Sequence, residues 1–473
     1  LSVRDNLTNS FRWAKYHFRQ FICLPKFMKR IAGILTIAAG TTQAAGLADL
    51  AADAFAADPA YRSAEAAWRA GIEKMPQGRA GLLPQLGVQQ SVYRNGVRIP
   101  GMSVPGYSTV GFTVTLNQPI FKLDAWEAYQ QGRLYATDAD FALAAARQEL
   151  LLQVAQAYVD VLGADDDATL AAGHKDAVAA QLVLARRRFA TGDATIVDVN
   201  EAQAAVDAAV ADQVAADNQR HVKVAALERK VGHPVARIDT FRDDARLPPV
   251  EPAQLAPWLE AARLSSHDVR RKEIAVQIAR RERAKVRAGH FPTVSLVGNL
   301  NNGNAAFING QANFYTGGNR GTAGAIGIQI ALPLTDGLMT RSRTREALAL
   351  EEKAGHDLAD ARDNAALVAR DAFLGVTSGR TRVDALGTAV KSAAVALKSN
   401  QTGYRVGVRV NADVLEAGDK LYRAQRDLAR ARYETLMHGL RLKASVGALD
   451  TAELAAVDAS LLQRAAVDQN GGR

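Results

Sequence analysis

One fifteen-residue stretch, 188–202, returns as residues 403–417, and no other feature limits the fold as tightly. The copies share an aromatic (Phe189, Tyr404), a glycine three places on (Gly192, Gly407), then Asp198-Val199 and Asp413-Val414, then Glu201-Ala202 and Glu416-Ala417. The offset is 215 positions, and it still holds downstream, where Leu227, Val231 and Gly232 answer to Leu442, Val446 and Gly447. Upstream, Pro119 answers to Pro333 at 214 and Pro84 to Pro292 at 208, so small insertions separate the copies only there. The chain reads as a tandem duplication. The expected division is residues 1–45 as extension and leader, 46–255 and 256–449 as the two repeats, and 450–473 as a tail.

Each repeat carries two periods. Val110, Phe112, Val114 and Leu116 alternate with Thr109, Gly111, Thr113, Thr115 and Asn117, the period-two signature of a strand, and Leu86, Val88 and Val92 alternate more weakly. In the second repeat Val294 and Leu296 lead one strand, while Ile326, Ile328, Ile330 and Leu332 mark another. Loops rich in Gly, Asn and Pro, 95–107 and 301–320, join them into two hairpins. Ten alternating residues suffice for a tilted membrane-spanning strand of about 9–11 residues. Four strands cannot close a barrel, so other subunits must complete one.

Long helical stretches follow each hairpin. Residues 126–191 are nearly free of Pro, with soft breaks expected near Gly163 and Gly173 and a solvated interruption at Asp165-Asp166-Asp167, and 196–231 follows. The second repeat gives 338–406 and 410–446. Small and aliphatic residues at three and four spacing over such lengths mean coiled-coil packing. Between the helices Gly192 and Gly407 suit a left-handed helix end, and Thr195 or Asn411 can cap the next helix.

Charge argues against a polyanion partner. The formal +9 includes +6 from residues 1–45, which leaves a nearly balanced body and no footprint for nucleic acid. Those first residues read as a targeting segment: Met28-Lys29-Arg30 as the positive region and likewise the expected start of translation, 31–39 as the apolar run, and Thr42-Gln43-Ala44 as the cleavage site. Cys23, the only cysteine, lies upstream of that signal, so the mature chain is expected to have no disulfide and no lipid-bearing cysteine. The histidines of the expected mature chain (His174, His221, His233, His267, His290, His356, His438) lack metal-ligand spacing, the Asp165–167 run lacks the Gly and Glu of a calcium loop, and no P-loop occurs. No enzymatic chemistry, cofactor or metal is expected.

Taken together, Leu82-Leu83-Pro84-Gln85-Leu86, Leu116-Asn117-Gln118-Pro119-Ile120-Phe121, the doubled Gly192 and Gly407 segments and Ala429-Arg430-Ala431-Arg432-Tyr433 resemble the TolC family of trimeric outer-membrane exit ducts over about residues 47–449. The resemblance implies a mainly α fold with membrane β: four strands per chain completing a twelve-stranded barrel in a homotrimer, and a tapering tunnel of antiparallel coiled-coil helices across the periplasm. It implies that Gly192 and Gly407 mark the periplasmic tip, where a periplasmic adaptor docks. It places Asp413 and Glu416 as acidic rings at the entrance, with a solvated surface pair as the plain alternative. It also makes Asp198, Tyr404 and Arg409 an entrance lock, to which Val197 supplies no hydroxyl. Within the family, the resemblance points to type I secretion of a protein toxin of the cyclolysin (adenylate cyclase–haemolysin) class, fed by an inner-membrane ABC transporter. Small-molecule efflux is the competing route, and a soluble periplasmic coiled-coil scaffold the reading from another class.

Overall fold

The computed structural model describes residues 46–95, 98–103, 107–236, 238–242, 249–303, 307–308, 311–312 and 321–463. The leader with Met28 and Cys23, parts of the loops 95–107 and 301–320, and the last ten residues of the tail lie outside the described residues.

Three short helices open the described chain: α1 (Leu47–Ala57), α2 (Pro59–Ile72) and α3 (Lys74–Ala80). Asp58 separates the first two, since Pro59 has no N–H and suits the first turn of a helix. The Asp58 carboxylate caps α2 by accepting from Ala60 N at 2.7 Å and Tyr61 N at 3.1 Å, and it meets Lys230 Nζ at 2.9 Å.

The strands follow as β1 (Gln85–Asn95), the two-residue ribbon β2 (Arg98–Ile99) and β3 (Met102–Ser103), and β4 (Tyr107–Phe121). Then come α4 (Leu123–Ala190), α5 (Ile196–Val231) and β5 (Thr240–Phe241). The second half gives α6 (Leu255–Ser265), α7 (His267–Arg287), β6 (Thr293–Gly303), the ribbon β7 (Phe307–Ile308) and β8 (Gln311–Ala312), and β9 (Gly321–Ala331). It closes with α8 (Met339–Arg405), α9 (Asn411–Ser445), α10 (Thr451–Leu461) and β10 (Leu462–Gln463). Leu332, expected as the end of a strand, lies one residue past β9.

The long strands make one antiparallel sheet in the order β1-β4-β6-β9. Its register puts like with like. Leu86, Leu116, Gly298 and Ile326 form one row across the sheet, and Val88, Val114, Leu300 and Gly324 the next row on that face. The intervening rows, Gly87-Thr115-Asn299-Ala325 and Gln89-Thr113-Asn301-Ala323, point the other way, and Thr113 Oγ1 donates to Asn301 Oδ1 at 2.8 Å. One face is therefore apolar and the other polar or small, while β1 and β9 each keep one edge without a partner strand.

The helix α4 has 68 residues and α8 has 67, each about 100 Å at 1.5 Å per residue. α4 is one continuous helix, which corrects the expected breaks at Gly163, Asp165–167 and Gly173. The three acids find partners on the neighbouring helices, which removes the reason to break. Asp165 meets Arg220 at 3.3 Å, Asp166 accepts from Tyr433 Oη at 2.6 Å, and Asp167 meets Arg426 at 3.0 Å. Gly163 leaves room beside the Tyr433 ring, 3.7 Å from where a Cβ would stand.

The main core lies about 50 Å along α4, near its middle. Leu151, Val154 and Tyr158 pack there with Leu47 and Leu50 of α1, Leu227 and Val231 of α5, Leu436 and Leu440 of α9, and Leu454 of α10. Asp458 of α10 accepts from Leu47 N and Ala48 N at 2.9 and 2.8 Å, so the end of the chain caps its first described helix. Among the described residues no helix is long and apolar enough to cross a membrane.

Two outcomes are expected. If the apolar face meets lipid, as the strand alternation leads one to expect, Val114→Arg puts a charge there and costs about 2–4 kcal/mol, whereas Thr113→Arg, on the other face, leaves the yield of folded protein near wild type. Asp58→Ala removes a cap worth about 1–2 kcal/mol. Burial alone would push the Asp58 carboxyl up, but the Lys230 ammonium and the two backbone N–H groups outweigh it and hold it below the usual carboxylate range. Its stabilisation is thus present above that range and lost as pH falls through it, so a denaturation series should show the wild-type advantage over Asp58→Ala shrinking in acid.

Candidate functional site

The repeated stretch forms the two turns that join α4 to α5 and α8 to α9, and the same backbone geometry builds both. Gly192 has φ +83° and Gly407 φ +81°, the left-handed region that costs a residue with a Cβ about 1 kcal/mol or more. At the first turn Asp193 N donates to Arg188 O at 2.8 Å and Gly192 N to Phe189 O at 3.1 Å. At the second, Val408 N donates to Gly403 O at 2.9 Å and Gly407 N to Tyr404 O at 3.3 Å. These paired bonds close the orphan carbonyls of each helix end. No atom comes within 4 Å of a Cβ built on either glycine, so backbone conformation and not crowding requires glycine.

The helix starts differ. Thr195 caps α5 in a reciprocal box: its Oγ1 accepts from Asp198 N at 3.3 Å, while Asp198 Oδ2 accepts from Thr195 N at 2.8 Å and from Thr195 Oγ1 at 2.7 Å. In α9 the capping position belongs to Val410, which has no side-chain acceptor, so only the return half forms, Val410 N to Asp413 Oδ2 at 3.3 Å. Asn411 is therefore not a cap, contrary to expectation. It sits fully buried in the first turn, where its Oδ1 accepts from Gln181 Nε2 at 2.7 Å and its Nδ2 donates to Asp198 O at 3.1 Å. One amide thereby ties α9 to both α4 and α5.

A second tie was equally absent from the pattern of the sequence. Arg188 Nη1 donates to Tyr404 O at 2.6 Å, and its guanidinium lies 4.7 Å from the Tyr404 ring centroid, a cation–π distance. The Tyr404 ring is buried, and its hydroxyl has no partner among the described residues. Leu182, Ala185 and Ala202, with Val199, Val206 and Leu415 against them, fill the small core between the turns.

The expected site residues divide accordingly. Asp413 and Glu416 lie one turn apart on α9; Asp413 Oδ2 stands 3.6 Å from Arg409 Nη1, and Glu416 Oε1 stands 2.6 Å from Lys420 Nζ. Asp198, Tyr404 and Arg409 share the region, but no hydrogen bond or ion pair joins Asp198 to either of the others within the chain. The cause is local: the Asp198 carboxylate is held by its own helix cap, and Arg409 reaches Asp413 one turn away. Exposed apolar side chains, Val406, Val408 and Val410 on one turn and Phe189, Ile196 and Val197 on the other, surround the glycines. Among the described residues no group of His, Cys, Asp and Glu is arranged to hold a metal. Such an arrangement offers charge, apolar surface and polar ties between helices.

Residues 50–233 and 258–448 match the family described as outer membrane efflux protein. The chain is 29% identical over 414 residues to the alkaline protease secretion protein AprF of Pseudomonas aeruginosa, covering 86% of this chain and 85% of that one. It is also 29% identical over 442 residues to the outer membrane protein TolC of Vibrio cholerae, covering 93% and 98%. Among solved structures, the outer membrane protein VceC of Vibrio cholerae superposes with a TM-score of 0.73 at 20% identity, covering 85% of this chain and 96% of that one.

Asn411→Ala leaves the Gln181 side-chain amide without its acceptor and removes the bond to the Asp198 carbonyl, a loss of about 1–3 kcal/mol. Gly407→Ala strains one backbone position, about 1 kcal/mol. Hydrogen exchange of α9 should therefore accelerate more in Asn411→Ala than in Gly407→Ala; the reverse order would remove the bridging role of the amide.

Proposed function

Since the chain belongs to the outer membrane efflux protein family and is a non-enzymatic channel of the outer membrane extending into the periplasm, we propose that it works as the exit duct of a type I secretion system. Three copies close the sheet by joining the β9 edge of one to the β1 edge of the next, giving twelve strands and leaving no edge open to lipid. The helices of 68 and 67 residues continue the duct toward the cell. A periplasmic adaptor docks on the tips around Gly192 and Gly407, and an inner-membrane ABC transporter drives a protein toxin of the cyclolysin class through. Residues 46–255 and 256–449 act as two copies of one unit, each giving a hairpin and a helix pair.

The observation that carries the secretion reading is similarity to a protein named for protease secretion that covers 86% of this chain and 85% of that one. Small-molecule efflux is the second reading, favoured by the family description itself. At the entrance, Asp413 and Glu416 from three copies stack as carboxylate rings, which favour cations and bind multivalent ones. Asp198, Tyr404 and Arg409 form the lock between hairpins once the copies assemble.

Two experiments test these claims. In planar bilayers the wild type should form small cation-selective pores blocked by a trivalent cation, and Asp413→Ala with Glu416→Ala should escape the block; equal block in the double variant would remove the acidic entrance. In cells deleted for the gene, loss of toxin from the medium with unchanged drug susceptibility supports secretion, and the opposite pattern supports efflux.

A further inference from the structure

Three segments far apart in the sequence meet where the described chain begins, and each brings a carboxylate. Asp458 of α10 accepts from the first two N–H groups of α1, those of Leu47 and Ala48. Asp49 belongs to the first turn of α1 itself, and Asp239 to the segment just before β5, the strand that β10 pairs with. A Cβ built on Gly46 would stand 3.0 Å from Asp458 Oδ2 and 3.7 Å from Asp49 Oδ2, so the buried Gly46 backbone lies against two of the three. Asp239 is 7% exposed, its Oδ1 has no partner among the described residues, and its charge is felt at Asp458. Burial pushes the Asp458 carboxyl above the usual carboxylate range, and Asp239 and Asp49 add to that push against the two backbone N–H groups. Among the described residues no Lys, Arg or His pairs with any of the three.

We propose that these carboxylates bind the chain's own new α-amino group, so that removal of the leader fastens the start of α1 to α10. Cleavage is expected after Ala44, at the end of Thr42-Gln43-Ala44. There the Ala44–Ala45 amide is hydrolysed: the C–N bond breaks, water gives hydroxyl to the carbonyl carbon and a proton to the nitrogen, and the acid proton passes to the amine. A carboxylate leaves with the leader and an ammonium stays on Ala45.

Chain geometry decides where that charge goes. Consecutive Cα atoms are about 3.8 Å apart and an N–Cα bond is about 1.5 Å, so the amino group of residue 45 lies within about 5 Å of the Gly46 Cα whatever the backbone angles. It is therefore delivered beside Asp458 and Asp49. An α-amino group, with a reference pKa of about 8, is cationic at neutral pH, whereas the same nitrogen in the uncleaved chain is a neutral amide. Buried carboxylates are costly unless paired, and the processed chain alone supplies the pairing charge. The site borders the main core, where the Tyr158 hydroxyl donates to Asp239 O at 2.9 Å, so it ties the start, middle and end of the chain together.

The inference rests on the leader reading of residues 1–45 and not on what the duct carries. The test uses processed trimer purified from outer membranes. Intact mass gives the first residue, and acylation of the α-amine by acetic anhydride at neutral pH, followed by mass spectrometry of the N-terminal peptide, reads its pairing. The reference is the free peptide of residues 45–50. The wild-type amine should react about tenfold more slowly than the peptide, the scale of one charge-assisted bond. Asp458→Asn and Asp239→Asn keep the side-chain shape without the charge, and each should recover part of the rate. A variant with Gly-Gly inserted after Ala45 keeps the cleavage site and every carboxylate but moves the ammonium, and it should react like the peptide even if the Asn variants do not fold. A wild-type amine as reactive as the peptide, or one slowed equally in wild type and both Asn variants, overturns the pairing and leaves the leader reading intact. A chain that begins at a residue other than Ala45 overturns both.

Discussion

Unpaired backbone at the two edges of the four-stranded sheet is the constraint on which the rest of the molecule depends. β1 and β9 each expose a row of N–H and C=O groups along 11 residues, and the sheet carries an apolar face suited to lipid. In hydrocarbon each unmet group costs several kcal/mol, so such a sheet is stable only inside a closed ring. The chain cannot close that ring with its own four strands. The sheet's need for neighbouring strands beyond its own four follows from that one shortage.

The helices are matched to a ring of this kind. Buried positions along α8 are mostly alanine (Ala347, Ala361, Ala365, Ala366, Ala369, Ala372), and small residues let long helices run close together in a thin wall. Bulky side chains gather instead at the middle of α4, where the short helices from both ends of the chain converge and a conventional core forms around Tyr158. Toward the tips the packing thins to the cluster around Leu182, Ala185 and Ala202, and specific polar ties take over from apolar area. Regions held by a few hydrogen bonds open at lower free energy than regions held by a core.

Equivalent acids in the two repeats show how local context changes the use of one residue. Asp198 and Asp413 occupy the same step of the same turn, and both accept from the backbone of the capping residue. Thr195 completes the box around Asp198, whereas Val410 cannot, which leaves Asp413 free to face Arg409 as well. Divergence at one capping position thus separates a structural carboxylate from one available for electrostatics.

What the sequence determined by itself is what local chain physics sets. Alternation in 110–116 and 326–330 gave the strands and their apolar face, glycines gave the two turns through positive φ, and the register of 215 positions tied the turns together. The tertiary structure alone decided the contacts between distant segments. Gln181 and Asn411 are 230 positions apart, Arg188 and Tyr404 are 216 apart, and neither pair carries a periodic signal. The same reason explains the misreading of Asp165–167: three adjacent acids look like a break until Arg220, Tyr433 and Arg426 arrive from other helices to satisfy them. Backbone conformation responds to near neighbours and is written in composition and spacing, whereas a buried polar group takes its meaning from whichever partner packing brings to it.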